Sequence, residues 1–216
     1  MKVYPVDLPS ALPEAIRLLK NGSLVAFPTD TVYGVAAHAF LPQAVARLYV
    51  AKERPRERAI PLLLAKSGDL PLVARDIPEI AWLLIERFWP GGLTLVLFRK
   101  TIVPEIVCAG GETVAVRVPD HRLALALIEG TGAPLATTSA NLSGRPEPVT
   151  AREVCQQLGA RIDLILDGGP SPGGIPSTVV DLTVSPPAVL RKGAISVERL
   201  AELIPNLTLS NPARVC

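Results

Sequence analysis

At 216 residues the chain is within reach of one hydrophobic core and short of two full domains, and its 49% apolar and 19% charged residues exclude intrinsic disorder. A formal net charge of +2 is too small for an indiscriminate grip on nucleic-acid phosphates. No apolar run approaches the roughly 20 residues that cross a bilayer, and MKVYPVDLPS lacks a signal-peptide core, so a cytoplasmic protein is expected.

The first predicted helix covers PSALPEAIRLLKNG: Ser10 is a candidate N-cap, Leu12, Ile16 and Leu19 share a face, and Gly22 ends it. SLVAFP reads as a strand closed by Pro28, and TDTVYGVAAHAF as a loop or strand edge that a ligand can approach. QAVARLYVAK is a second helix, running into the basic loop KERPRERA and the buried strand IPLLLA. A third helix, DIPEIAWLLIERFW, is broken by WPGG; LTLVLF and TVAVRV are strands, HRLALALIEG is a helix with Asp120 as cap candidate, and PLATTS is a strand. Thr150 and Glu153 form a capping-box pattern before AREVCQQLG, followed by the strands IDLILD, STVVDLT and AVLR and a helix from Ser196. This alternation predicts an α/β fold, a twisted sheet layered with helices, over residues 1–205, with 206–216 as a terminal tail.

Cys108, Cys155 and Cys216 form no CxxC pair, and two histidines, His38 and His121, leave few ways to build a metal site or a Ser-His-Asp triad, so no structural metal is expected. The phosphate loop GxxxxGK[ST], GxGxxG after the first strand, HExxH and GxSxG are all missing. Any phosphate chemistry must use another cradle. Lys52, Arg54, Arg56 and Arg58 crowd four cations into seven residues, which suits either a polyphosphate or a solvated turn balanced by Glu53 and Glu57. TTSANLSGRP sets Thr137, Thr138, Ser139, Asn141 and Ser143 at a strand end, where they can orient a small polar ligand or simply form a turn. Arg117 lies inside a strand pattern, so its guanidinium needs an anion: a protein carboxylate such as Asp181, or the carboxylate of an amino-acid substrate. Arg191 poses the same question at another strand end.

The strings FPTDTVYGVAAHAF, AKERPRERAIPLLLA, FWPGGLTLVL, GGETVAVRVPDH, PLATTSANLSGRP and DGGPSPGGIPSTVVDLT with LRKGAIS, in this order over roughly residues 20 to 196, are similar to the YrdC family. The resemblance implies a YrdC-like twisted sheet with an open, concave, basic cavity. It also implies a nucleotidyltransferase that joins L-threonine, bicarbonate and ATP into threonylcarbamoyl-AMP and pyrophosphate, on the way to a modified transfer RNA. By this resemblance Lys52 and Arg54 are catalytic, and Lys52, Arg54, Arg58, Thr113, Ser139, Asn141 and Arg191 hold ATP, which brings Mg²⁺ with it. Thr29, Arg117, Thr137 and Ser177 would hold threonine.

Three positions depart from the family pattern. Leu63 stands where many relatives carry a histidine, Ala59 where they carry a proline, and Pro176 where they often carry a glutamate. The chain also resembles the form without an extra C-terminal domain. Downstream transferase proteins would use the product, and weak transfer-RNA or double-stranded RNA binding is a possible accompaniment. An RNA-binding module without catalysis, or a carbamoyl-transfer module of the hydrogenase-maturation kind, are the alternative readings. The segment Gly168 to Pro176, rich in Gly and Pro, is a candidate lid.

Overall fold

The computed structural model describes residues 1–209, so the predicted tail from 210 on, with Cys216, lies outside the described residues. In chain order the strands are β1 (Lys2–Pro5), β2 (Val25–Phe27), β3 (Gly34–His38), β4 (Leu62–Leu63), β5 (Ala74–Arg75) and β6 (Leu93–Arg99), then β7 (Thr113–Arg117), β8 (Leu135–Ser139), β9 (Leu164–Asp167), β10 (Thr178–Asp181), β11 (Ala188–Arg191) and β12 (Thr208–Leu209). The helices are α1 (Ala11–Lys20), α2 (Pro42–Lys52), α3 (Leu70–Val73), α4 (Glu79–Phe88), α5 (Arg122–Thr131), α6 (Ala151–Leu158) and α7 (Val197–Ala201). Among the described residues all twelve strands join one mixed sheet in the order β1-β9-β2-β3-β8-β4-β7-β6-β10-β11-β12, with β5 against β6.

Local signals explain several boundaries. The capping box forms as the sequence predicts: the Glu153 amide donates to Thr150 Oγ1 at 3.3 Å, and the Glu153 carboxylate accepts from the amides of Val149 and Thr150. Glu53, at φ 52°, ends α2 in the left-handed region and turns the chain into the basic loop. Two expected caps differ. Ser10 stands at the N-cap of α1 without a side-chain cap bond, and the cap of α5 is His121, one residue past Asp120. β1, which the sequence reading left out, adds to β9 at the sheet edge.

Register sorts the strand residues onto two faces. Ala26, Val35, Ala37, Ala136, Leu62, Val116, Leu95 and Val180 enter the larger core with buried residues of α2, α4 and α6. On the other face Val25, Phe27, Ala36, Leu63, Leu135, Leu164 and Leu166 pack with Ala11, Ala15 and Leu19 of α1 and Ala124, Leu127 and Ile128 of α5. Beyond those two helices the second face continues, by pairing with Leu63, Leu135 and their neighbours, through Gly34, Thr137, Ser139, Arg117, Thr113, Ala115, Thr94 and Val179. Thr113, Ala115, Val179 and Ser139 keep solvent access there. An alternating strand pattern thus leaves a polar, partly uncovered hollow beside an apolar, helix-covered half.

Candidate functional site

The rim of the hollow is cationic. Lys52, the last residue of α2, is only 1% exposed, and its ammonium donates to the carbonyl of Ser139, to the carbonyl of Asn141 at 2.5 Å and to Asn141 Oδ1 at 3.4 Å. The expected phosphate-facing ammonium is therefore turned onto the Ser139–Asn141 turn, because burial leaves it no other way to satisfy three donors. Burial first, then Arg54, lowers its pKa to about 7, with Glu147 acting in the opposite sense; the three oxygen acceptors also favour the charged form. Asn141 completes the turn by donating its amide to the carbonyls of Leu142 and Arg145.

Arg54 donates to the carbonyls of Arg58 and Ala59 at 3.0 and 2.7 Å, which folds the basic loop around its own guanidinium. Arg58 itself is exposed, and its carbonyl also receives the Tyr49 hydroxyl. Arg191, on β11, donates to the Ser177 carbonyl and, at 3.1 Å, to Ser177 Oγ. Burial lowers the Arg54 pKa, and Arg58 and Arg191 lower it further; for Arg191 burial comes first, with Glu147 raising and Arg117 lowering it. Cations brought in by three separate segments, the stretch 52–58, β7 and β11, feel one another, which is the convergence an anion site requires.

At the other side of the hollow Arg117 is 7% exposed. Its protein carboxylate partner is Asp30, not Asp181. Nη2 reaches Asp30 Oδ1 at 2.5 Å, Nη1 reaches Thr31 Oγ1 at 3.0 Å and Nε reaches the Gly91 carbonyl at 2.8 Å. Asp181 instead accepts from the amide and hydroxyl of Thr183. Around this pair Thr29 Oγ1 donates to the Val32 carbonyl and meets Thr31 Oγ1, Ser177 Oγ meets Thr94 Oγ1 at 2.8 Å, and Thr137 bonds to the Leu135 carbonyl. A side chain at Gly34 would strike Thr137 at 2.9 Å, so glycine is what lets β3 lie open beside it. Thr113 lies on the Arg117 face, four residues back along β7 and so about 13 Å away. The structure thus gathers Thr29, Arg117, Thr137, Ser177, Ser139 and Arg191 around one hollow.

The segment 168–176 is strapped over the loop that carries Asp30. The Tyr33 hydroxyl donates to the Gly169 carbonyl at 2.7 Å and receives the Gly168 amide, and burial pushes its pKa to about 12. The amide of Gly174 donates to the Thr31 carbonyl at 2.7 Å, and that of Ser171 to the Val149 carbonyl. Gly173 packs so closely that a Cβ would sit 2.4 Å from the Asp30 carbonyl oxygen. Asp30, Thr31 and Tyr33 were not singled out in the sequence; the polar run TDT ahead of a strand was the available signal. His121 Nδ1 is buried without a hydrogen-bond partner, and burial lowers its pKa against the opposing pull of Asp30 and Asp120.

A mixed sheet with part of one face left uncovered, arginines along its rim and a buried Arg–Asp pair across from them, defines an α/β protein with a basic hollow. The chain belongs to the Sua5/YciO/YrdC family: the family model described as "Telomere recombination" matches residues 17–193. It is 44% identical over 190 residues to the threonylcarbamoyl-AMP synthase of Pyrococcus abyssi, covering 88% of this chain and 56% of that protein. It is also 44% identical over 192 residues to the threonylcarbamoyl-AMP synthase of Bacillus subtilis, with the same two shares. Its fold matches the crystal structure of Pyrococcus abyssi Sua5 complexed with L-threonine at a TM-score of 0.92 and 40% identity, over 97% of this chain and 62% of that one. The chain spans little more than half the length of the two synthases it matches.

Proposed function

We propose that the chain is a threonylcarbamoyl-AMP synthase, a nucleotidyltransferase that converts L-threonine, bicarbonate and ATP into threonylcarbamoyl-adenylate and pyrophosphate. The observation that carries this reading is the placement of Arg54 and Arg191 on the rim of the same hollow whose floor holds Arg117 and a set of buried hydroxyls. One set of cations suits a triphosphate and the other a carboxylate. The relatives named threonylcarbamoyl-AMP synthase and the threonine complex of Sua5 support the pairing of these two substrates.

In this reading the deprotonated amine of threonine captures bicarbonate with loss of water, or carbon dioxide with loss of a proton, as a carbamate; a carbamate oxygen bonds to the α-phosphorus, and the bond to the bridging oxygen of pyrophosphate breaks. No residue needs to act as a nucleophile. The chain positions the reactants and stabilises charge: Arg54, Arg58 and Arg191 face the phosphates, with Thr113, Ser139 and Asn141 along the nucleotide. Lys52 contributes its charge and fixes the Ser139–Asn141 turn. Arg117, with Thr29, Thr137 and Ser177, takes the amino acid.

Mg²⁺ belongs to the ATP in this account: among the described residues no group of three or more His, Cys, Asp or Glu could hold a metal ion. Residues 1–205 form the catalytic unit, to which Thr208 and Leu209 add by pairing with β11. The product passes to separate transferase proteins that modify transfer RNA in the cytoplasm; among the described residues no helix is long and apolar enough to cross a membrane. The test is pyrophosphate release from ATP. It should require both threonine and bicarbonate, and release that is independent of the amino acid would refute the assignment.

A further inference from the structure

The pair Asp30–Arg117 is only half used by the protein. A guanidinium has five N–H groups, and three of them are taken by Gly91, Thr31 and Asp30. Asp30 accepts Arg117 through Oδ1, while its Oδ2 has no hydrogen bond among the described residues. Oδ2 is not fully buried and so keeps some solvent access. The two side chains are nevertheless just 8% and 15% exposed, and Gly173 and Gly174 pack on the backbone of Asp30 and Thr31 beside them. The result is a fixed positive group and a fixed negative group, side by side in a partly desolvated niche, each with hydrogen-bonding capacity that the protein does not use.

An α-amino acid carries its carboxylate and its ammonium on one carbon. A ligand whose carboxylate accepts from an unused N–H group of Arg117 can bring its ammonium to the neighbouring carboxylate. Resting on the functional reading above, we propose that Asp30 is a substrate-binding residue that receives the α-ammonium, so that Arg117 and Asp30 together form a clamp for a zwitterion. Oδ1 keeps Arg117 in place and Oδ2 reads the amine. The site then selects amino acids over simple carboxylates, and it positions the nitrogen, which must lose a proton before it becomes nucleophilic.

Calorimetric titration of the full chain with L-threonine and with 3-hydroxybutyrate, which is threonine with its amine replaced by hydrogen, tests this. A charge-assisted hydrogen bond from the ammonium gives wild-type protein a preference for threonine of about 10- to 100-fold. Asp30→Asn, which retains an oxygen toward Arg117, should lose that preference by weakening threonine alone and leaving 3-hydroxybutyrate within about twofold. Equal affinity of wild-type protein for the two ligands overturns the proposal without any variant, so it is decided even if Asp30→Asn does not fold. A folded Asp30→Asn that weakens both ligands equally also overturns it, because Asp30 then acts only by holding Arg117. Wild-type protein that binds neither ligand overturns the functional reading itself, which is a different failure from threonine binding without discrimination.

Discussion

Replacing Lys52 with methionine keeps most of the buried aliphatic stem and removes the ammonium that holds the Ser139–Asn141 turn. Two carbonyls and one amide oxygen lose their donor. An orphaned buried acceptor costs about 1–3 kcal/mol, and part of that loss is offset because a cation no longer has to be kept in an 1% exposed position. The net expectation is a loss of about 2–4 kcal/mol of stability, read as a lower urea midpoint at unchanged slope. ATP affinity should fall with it, since Ser139 and Asn141 are no longer fixed. The pH dependence supplies an internal check. The folded pKa of Lys52, about 7, lies below the ordinary lysine value of 10.5, so between those values the unfolded chain binds the extra proton and the wild-type protein gains stability as pH rises. Lys52→Met should flatten that rise. A variant within about 0.5 kcal/mol of wild type at pH 7, the range of an ordinary surface substitution, would refute the anchoring role.

Arg191→Ala should weaken ATP binding by about tenfold while leaving threonine affinity within about twofold, measured by calorimetry; unchanged ATP affinity would remove Arg191 from the phosphate site. Gly173→Ala pushes a Cβ to 2.4 Å from the Asp30 carbonyl oxygen, so the strap must lift and threonine affinity should drop with little loss of thermal stability; tight threonine binding in this variant would contradict the role of the strap as a roof. Tyr33→Phe deletes the hydroxyl that bonds to Gly168 and Gly169, costing about 1–2 kcal/mol and speeding amide exchange at the base of the strap. Exchange at the wild-type rate would show that Tyr33 does not hold it.

Much of the fold was legible because its signals are local. The helix of Leu12, Ile16 and Leu19, the Thr150–Glu153 box and the strand strings around Thr94, Arg117 and Thr137 follow from spacing within a few residues. What spacing does not encode is partnership at a distance. Arg117 visibly needed an anion, yet Asp30 lies 87 positions away and Asp181 was as good a candidate from the sequence. Lys52 sits in a run of cations that suggests solvent or phosphate, and only the close approach of the Ser139–Asn141 turn, 87 and 89 residues on, turns it inward. β1 is short and exposed on its edge, so its pattern carried no burial signal. The hollow itself comes from register across β3, β8, β4 and β7, which aligns residues that no single segment contains.

The most direct measurement is a crystal structure of this chain with a non-hydrolysable ATP analogue and L-threonine bound together. The account predicts phosphates within hydrogen-bond distance of Arg54 and Arg191, the threonine carboxylate on Arg117, and the amine between the carboxylate and the α-phosphorus. Nucleotide or amino acid bound on the face covered by α2, α4 and α6, or in separate places with Arg117 bonded solely to protein groups, would contradict it.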